Sequence, residues 1–90
     1  MNIFIVNQVS EIAGVQHFNA VPCADLESAK KVIEEEVETI LFESPFYKKN
    51  NEDIKVSRKE NEVYIYCPSN EYYSEYLNIE ERELVEKNKH

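Results

Sequence analysis

Only one stretch of this chain carries a sustained helical period. Leu26, Ala29, Val32, Ile33, Val37, Ile40 and Leu41 recur every three or four residues, which sets them along a single stripe of an α-helix. Asp25 is placed to accept hydrogen bonds from the first helical amides, and Glu27 adds negative charge at the positive end of the helix dipole. The opposite side carries Glu27, Lys30, Lys31, Glu34, Glu35 and Glu38, with Glu27 and Lys31 in the favourable i,i+4 order. Pro45 ends the pattern, so a helix is predicted from Asp25 through Phe42. A lone amphipathic helix has no second helix to bury its stripe against, and the rest of the chain must supply a flat apolar surface.

The remaining segments read as strands. Residues 2–9 are β-branched, aromatic and apolar in quick succession, and Ser10 to Gly14 supplies a turn with the chain's one glycine. A second strand follows from Val15 to Val21, with Phe18 and Ala20 on one face and Val15, His17 and Val21 on the other. Pro22 removes a ladder donor, so this strand ends there or lies at a sheet edge. Phe46 to Asp53 is polar and without period, an expected loop that carries Tyr47. Ile54–Ser57 and Val63–Tyr66 alternate around Arg58 to Glu62, which contains Asn61, and form an expected second hairpin. Pro68, Ser69 and Asn70 break it. In the segment from Tyr72 to Val85 the tyrosine enrichment favours a strand, with a short helix at Glu80–Glu83 as the alternative. Lys87 to His90 are expected to fray.

The predicted architecture is an α+β, two-layer sandwich in the order ββαβββ, with one amphipathic helix packed on an antiparallel or mixed sheet of four to five strands. Ninety residues suffice for one core, so residues 1–90 are expected to form a single domain, with 86–90 as its tail. Charged residues make up 31% and hydrophobic ones 42%, a globular composition without an apolar run of membrane-spanning length. The N-terminal segment lacks the basic and apolar regions of a secretory signal, and a cytoplasmic location is expected.

A net charge of −8 opposes direct binding to nucleic acid or to an anionic membrane, and neither is an expected partner. Cys23 and Cys67 lack the paired spacing of a zinc site. The glutamates diverge around the helix instead of converging from a loop, and one glycine cannot build a phosphate-binding loop. No cofactor and no metal are therefore expected. His17, the one internal histidine, and Cys23, just before the helix, are the residues a small enzyme would use, but neither has a nucleophile, base or carboxylate beside it at a motif spacing.

The most unusual local composition is aromatic. Tyr64, Tyr66, Tyr72, Tyr73 and Tyr76 crowd together near the C-terminal end, and tyrosine joins a large apolar ring to a hydroxyl that tolerates water. With Glu34, Glu35 and Glu38 of the helix as an acidic docking surface, these tyrosines are the candidate interaction residues. The expected function is a non-catalytic acidic protein-interaction domain, self-associating through its sheet face or an unpaired edge, or binding another protein. The alternatives are an acidic inhibitor that imitates DNA on a nucleic-acid-binding protein and, last, a small enzyme using His17 or Cys23.

Overall fold

The helical stripe lies against a five-stranded antiparallel sheet in the computed structural model, which describes residues 2–83. The elements are β1 (Asn2–Ile12), β2 (Val15–Cys23), α1 (Leu26–Glu43), α2 (Pro45–Lys49), β3 (Lys55–Lys59), β4 (Glu62–Tyr66) and β5 (Ser74–Glu83). The spatial order β2-β1-β5-β4-β3 makes the last strand in sequence the central one, paired with β1 on one side and β4 on the other. The fold is therefore α+β in the order ββαβββ, and every strand pair is antiparallel.

Strand alternation sorts the sheet into two faces. Val6 of β1, Val63 and Ile65 of β4 and Leu77 of β5 point to the helix and meet Ala29, Ile33, Val37 and Ile40 of α1 in one buried cluster. Full burial of each valine, leucine or isoleucine side chain in it stabilises by about 1.5–3 kcal/mol relative to exposure. Asp25 caps α1, accepting from the Ser28 N–H at 2.7 Å, and this bond holds its carboxyl below the usual range.

The covered face turns polar toward the β1–β2 turn. In place of aliphatic residues, β1 presents Gln8 and Ser10, and β5 presents Glu75, which is only 4% exposed. Its Oε1 accepts from Gln8 Nε2 at 2.9 Å and from Ser10 Oγ, the partners that a carboxylate needs when removed from water. Tyr47 is buried nearby, and its hydroxyl has no hydrogen-bond partner among the described residues. Burial first, and then the charge of Glu75, push the Tyr47 phenol well above its ordinary pKa.

Several boundaries differ from the sequence reading. Pro45 does end α1, but it also opens α2 at a position where a proline's missing N–H costs nothing, so Phe46–Asp53 is not simply a loop. Its Tyr47 is a core residue, with Phe46 edge-on to it at 5.3 Å. The first turn is tighter than Ser10–Gly14: β1 runs to Ile12, and Ala13 and Gly14 alone make the reversal, with φ of 52° and 82°. β2 continues through Pro22 to Cys23 because it is an edge strand. Tyr72–Val85 is strand from Ser74 to Glu83, including Glu80–Glu83. Val85 and the 86–90 tail lie outside the described residues.

Candidate functional site

The face of the sheet turned away from α1 has no element packed on it among the described residues. Alternation brings to it Ile3, Ile5, Asn7 and Val9 from β1, Phe18 and Ala20 from β2, Tyr64 and Tyr66 from β4, and Tyr76 and Asn78 from β5, as the pairings Val9↔Phe18, Val9↔Tyr76 and Tyr64↔Tyr76 require. Tyr64 is 41% exposed and Phe18 77% exposed, whereas Val63 and Ile65, on either side of Tyr64 in β4, and Leu77, next to Tyr76 in β5, are buried.

Three of the tyrosines form one cluster. Tyr64 and Tyr66, two residues apart, stack at 4.9 Å with planes 18° apart, and Tyr76 meets Tyr64 edge-on at 6.4 Å. The Tyr76 hydroxyl donates to Glu62 at 2.9 Å, which raises the phenol's pKa and fixes the ring's tilt. Farther along β5 on the same face, Glu80 accepts from Arg82 at 2.8 Å and from Asn7 at 3.2 Å, and both bonds hold its carboxyl below the usual range. Between these groups a shallow groove of about 550 Å³ runs along Asn7, Val9, Phe18, Ala20, Tyr76 and Asn78. The Asn78 Oδ1 is enclosed there without a hydrogen-bond partner.

The other candidate residues lie elsewhere. Tyr73 is on the helix side, its ring stacked on Phe46 at 3.8 Å, where it pins α2 to the sheet. Tyr72 sits under the β1–β2 turn: its carbonyl accepts from Gly14 N–H at 3.1 Å, and its ring would lie 3.4 Å from a Cβ at Gly14. Glu34, Glu35 and Glu38 are exposed on the outer side of α1, across the molecule from the Tyr64–Tyr66–Tyr76 cluster. Glu34 pairs there with Arg58 of β3 at 2.7 Å. The tyrosines and the helix glutamates thus form separate surfaces. Sequence reasoning missed Val9, Phe18 and Asn78 as companions of the tyrosines. The alternation of β2 does put Phe18 and Ala20 on one face, but only the strand order shows that this face adjoins Tyr76.

His17 is exposed on β2, while Cys23, half-buried, stands six positions along the same strand with its thiol 3.8 Å from the Val21 carbonyl. Six strand residues span about 20 Å, so these two side chains do not form a pair. Cys67 is buried and, like Cys23, a free thiol. Among the described residues, no three His, Cys, Asp or Glu side chains converge as metal ligands, and no helix is long and apolar enough to cross a membrane. In comparisons with known proteins, no family model, curated protein or solved structure matched the chain.

Proposed function

We propose that this chain is a non-catalytic protein-interaction domain that holds a partner protein against the uncovered face of its sheet, with Tyr64, Tyr66 and Tyr76 at the centre of the contact. One observation carries this reading: the helices cover only one side of the sheet, and the other side presents stacked tyrosines beside a groove lined by Val9, Phe18, Ala20, Asn7 and Asn78. Tyrosine rings give large contact area with few rotors to immobilise, and their hydroxyls remain solvated when the partner is absent. The rim of this face carries both signs, Glu62 and Glu80 beside Lys55, Lys59 and Arg82, so a partner with an apolar centre and a mixed-charge rim fits best. Those rim charges act mainly on the association rate.

The test is a titration of a partner recovered with the wild-type chain and then purified. Tyr64→Ala is expected to weaken its binding by about tenfold or more, the range of a central aromatic contact. Glu35→Ala on the far side of the molecule is expected to change it by less than about threefold. Equal affinity of the wild type and Tyr64→Ala would overturn the reading.

A further inference from the structure

The two edges of the sheet are built differently. β3 is five residues long and carries Lys55, Arg58 and Lys59, the short, cationic make-up with which proteins keep an edge from pairing. β2 is nine residues long and contains no Asp, Glu, Lys or Arg. The uncharged run extends from Ile12 to Ala24 in a chain whose net charge is −8. Two copies of so acidic a chain repel one another over most of their surfaces, and β2 is where that repulsion is least.

The register of the β1–β2 hairpin shows which backbone groups this edge offers. A two-residue turn of left-handed residues makes the flanking pair, Ile12 and Val15, a hydrogen-bonded one, and the pairing runs without a bulge to Phe4↔Cys23. Val15, His17, Asn19, Val21 and Cys23 therefore direct their backbone groups to β1. Gln16, Phe18, Ala20 and Pro22 direct theirs outward. Proline, which has no N–H, stands at an outward position, where it breaks no bond to β1.

We propose that β2 pairs with β2 of a second copy, antiparallel across a two-fold axis at Phe18, to form a continuous ten-stranded sheet. In this register each Phe18 exchanges two hydrogen bonds with its counterpart, and each Gln16 exchanges two with Ala20 of the other copy, so every outward N–H finds a carbonyl. Shifting the axis to Asn19 sets Gln16 opposite Pro22, which has no N–H to give. Shifting it to His17 sets Ala20 opposite Gly14, whose N–H is already bonded to the Tyr72 carbonyl. The Phe18 register is thus the one that leaves no outward donor or acceptor of residues 16–20 unpaired. It covers the exposed Phe18 rings with each other on the open face and leaves both α1 helices on the opposite side. The pairing rests on the interaction-domain reading only in assigning the chain a partner; it does not use the tyrosine cluster.

Sedimentation equilibrium of the full chain over a concentration series tests the proposal. The wild type is expected to be a dimer that dissociates on dilution. Phe18→Lys and Phe18→Glu each set like charges face to face at the axis and are expected to weaken the dimer by at least about tenfold. Both variants should keep the wild-type circular dichroism, because the ring they replace is exposed. An equimolar mixture of the two is expected to restore a dimer, now with opposite charges at the axis. Tyr64→Ala should leave dimerisation unchanged, so its effect on a partner protein is read separately. A monomeric wild type, a Phe18→Lys chain that dimerises like the wild type, or a mixture that stays monomeric would each overturn the Phe18-centred dimer.

Discussion

The two hairpins that flank the helix are alike in topology and different in what they do. The β3–β4 hairpin gives Val63 and Ile65 to the core, has three cations on its outer strand, and turns through Asn61 at a φ of 62°. The β1–β2 hairpin gives Val6 to the core and then runs on past the apolar layer, so that β2 is exposed from Val15 to Ala20. Its turn uses Ala13 at a φ of 52°. One hairpin has the make-up of a finished edge. The other spends length, apolar area and backbone strain on a strand that contributes little to the core of its own chain.

The largest expected effect follows directly from that contrast. Ile65→Ala in β4 removes a fully buried side chain and is expected to cost about 2–5 kcal/mol, a large share of the stability of a domain this size. Phe18→Ala in β2 removes a larger side chain but is expected to cost less than about 0.5 kcal/mol in the monomer. Urea unfolding of both variants at a concentration low enough to exclude association makes the comparison. A Phe18→Ala cost comparable to that of Ile65→Ala would place β2 within the core and end the distinction.

This contrast was only partly legible in the sequence. The α1 stripe, the turn at Asn61 and the alternation of Val63 to Tyr66 are local signals, written in residues a few positions apart, and the structure keeps them. The edge status of β2 was half legible: Pro22 signalled it but also allowed the strand to end there. The central place of β5 depends on pairing between segments about 70 positions apart, which no local pattern carries. The tyrosines show the consequence. Tyr64, Tyr66, Tyr72, Tyr73 and Tyr76 are neighbours in sequence, but strand parity and the turn at Asn70 send Tyr73 to the helix side and Tyr72 beneath a hairpin tip. Tyr47 was misplaced for a different reason: the polar Lys48–Asn51 run masked a single helical turn anchored by two aromatic rings.

A medium effect tests where the β1–β2 hairpin leaves the apolar layer. Around Gln8, Ser10 and Glu75 the core is polar, and Tyr47 brings into it a hydroxyl with no hydrogen-bond partner. Tyr47→Phe keeps the ring and removes that group, so it is expected to stabilise the fold by about 1 kcal/mol. Its pH dependence has a fixed sign. The folded phenol titrates above its unfolded value of 10.0, so the hydroxyl's cost is constant below pH 10 and grows as the pH rises further, when the unfolded chain gains by ionising and the folded chain does not. Thermal melts should therefore show the wild type losing stability above pH 10 more steeply than Tyr47→Phe. Parallel alkaline limbs would mean that Tyr47 is free to ionise in the folded state.

The smallest effect separates the two turns. A left-handed conformation costs an ordinary L-residue about 1–2 kcal/mol through contact between Cβ and the carbonyl oxygen, and asparagine bears it more readily because its side chain bonds locally. Ala13 and Asn61 sit within ten degrees of each other in φ, so exchanging their side chains is nearly a controlled experiment. Ala13→Asn is expected to stabilise the chain by about 0.5–1 kcal/mol, and Asn61→Ala to destabilise it by a similar amount. Chemical denaturation of the two variants, each against the wild type, reads both signs. If Ala13→Asn gains nothing while Asn61→Ala still costs, the strain at Ala13 is already relieved by its surroundings, with the bond from the Gly14 N–H to the Tyr72 carbonyl as the contact to remove next. In that event the β1–β2 tip is held by β5 and its approach, and the hairpin is as fixed at its turn as β3–β4 despite its exposed outer strand.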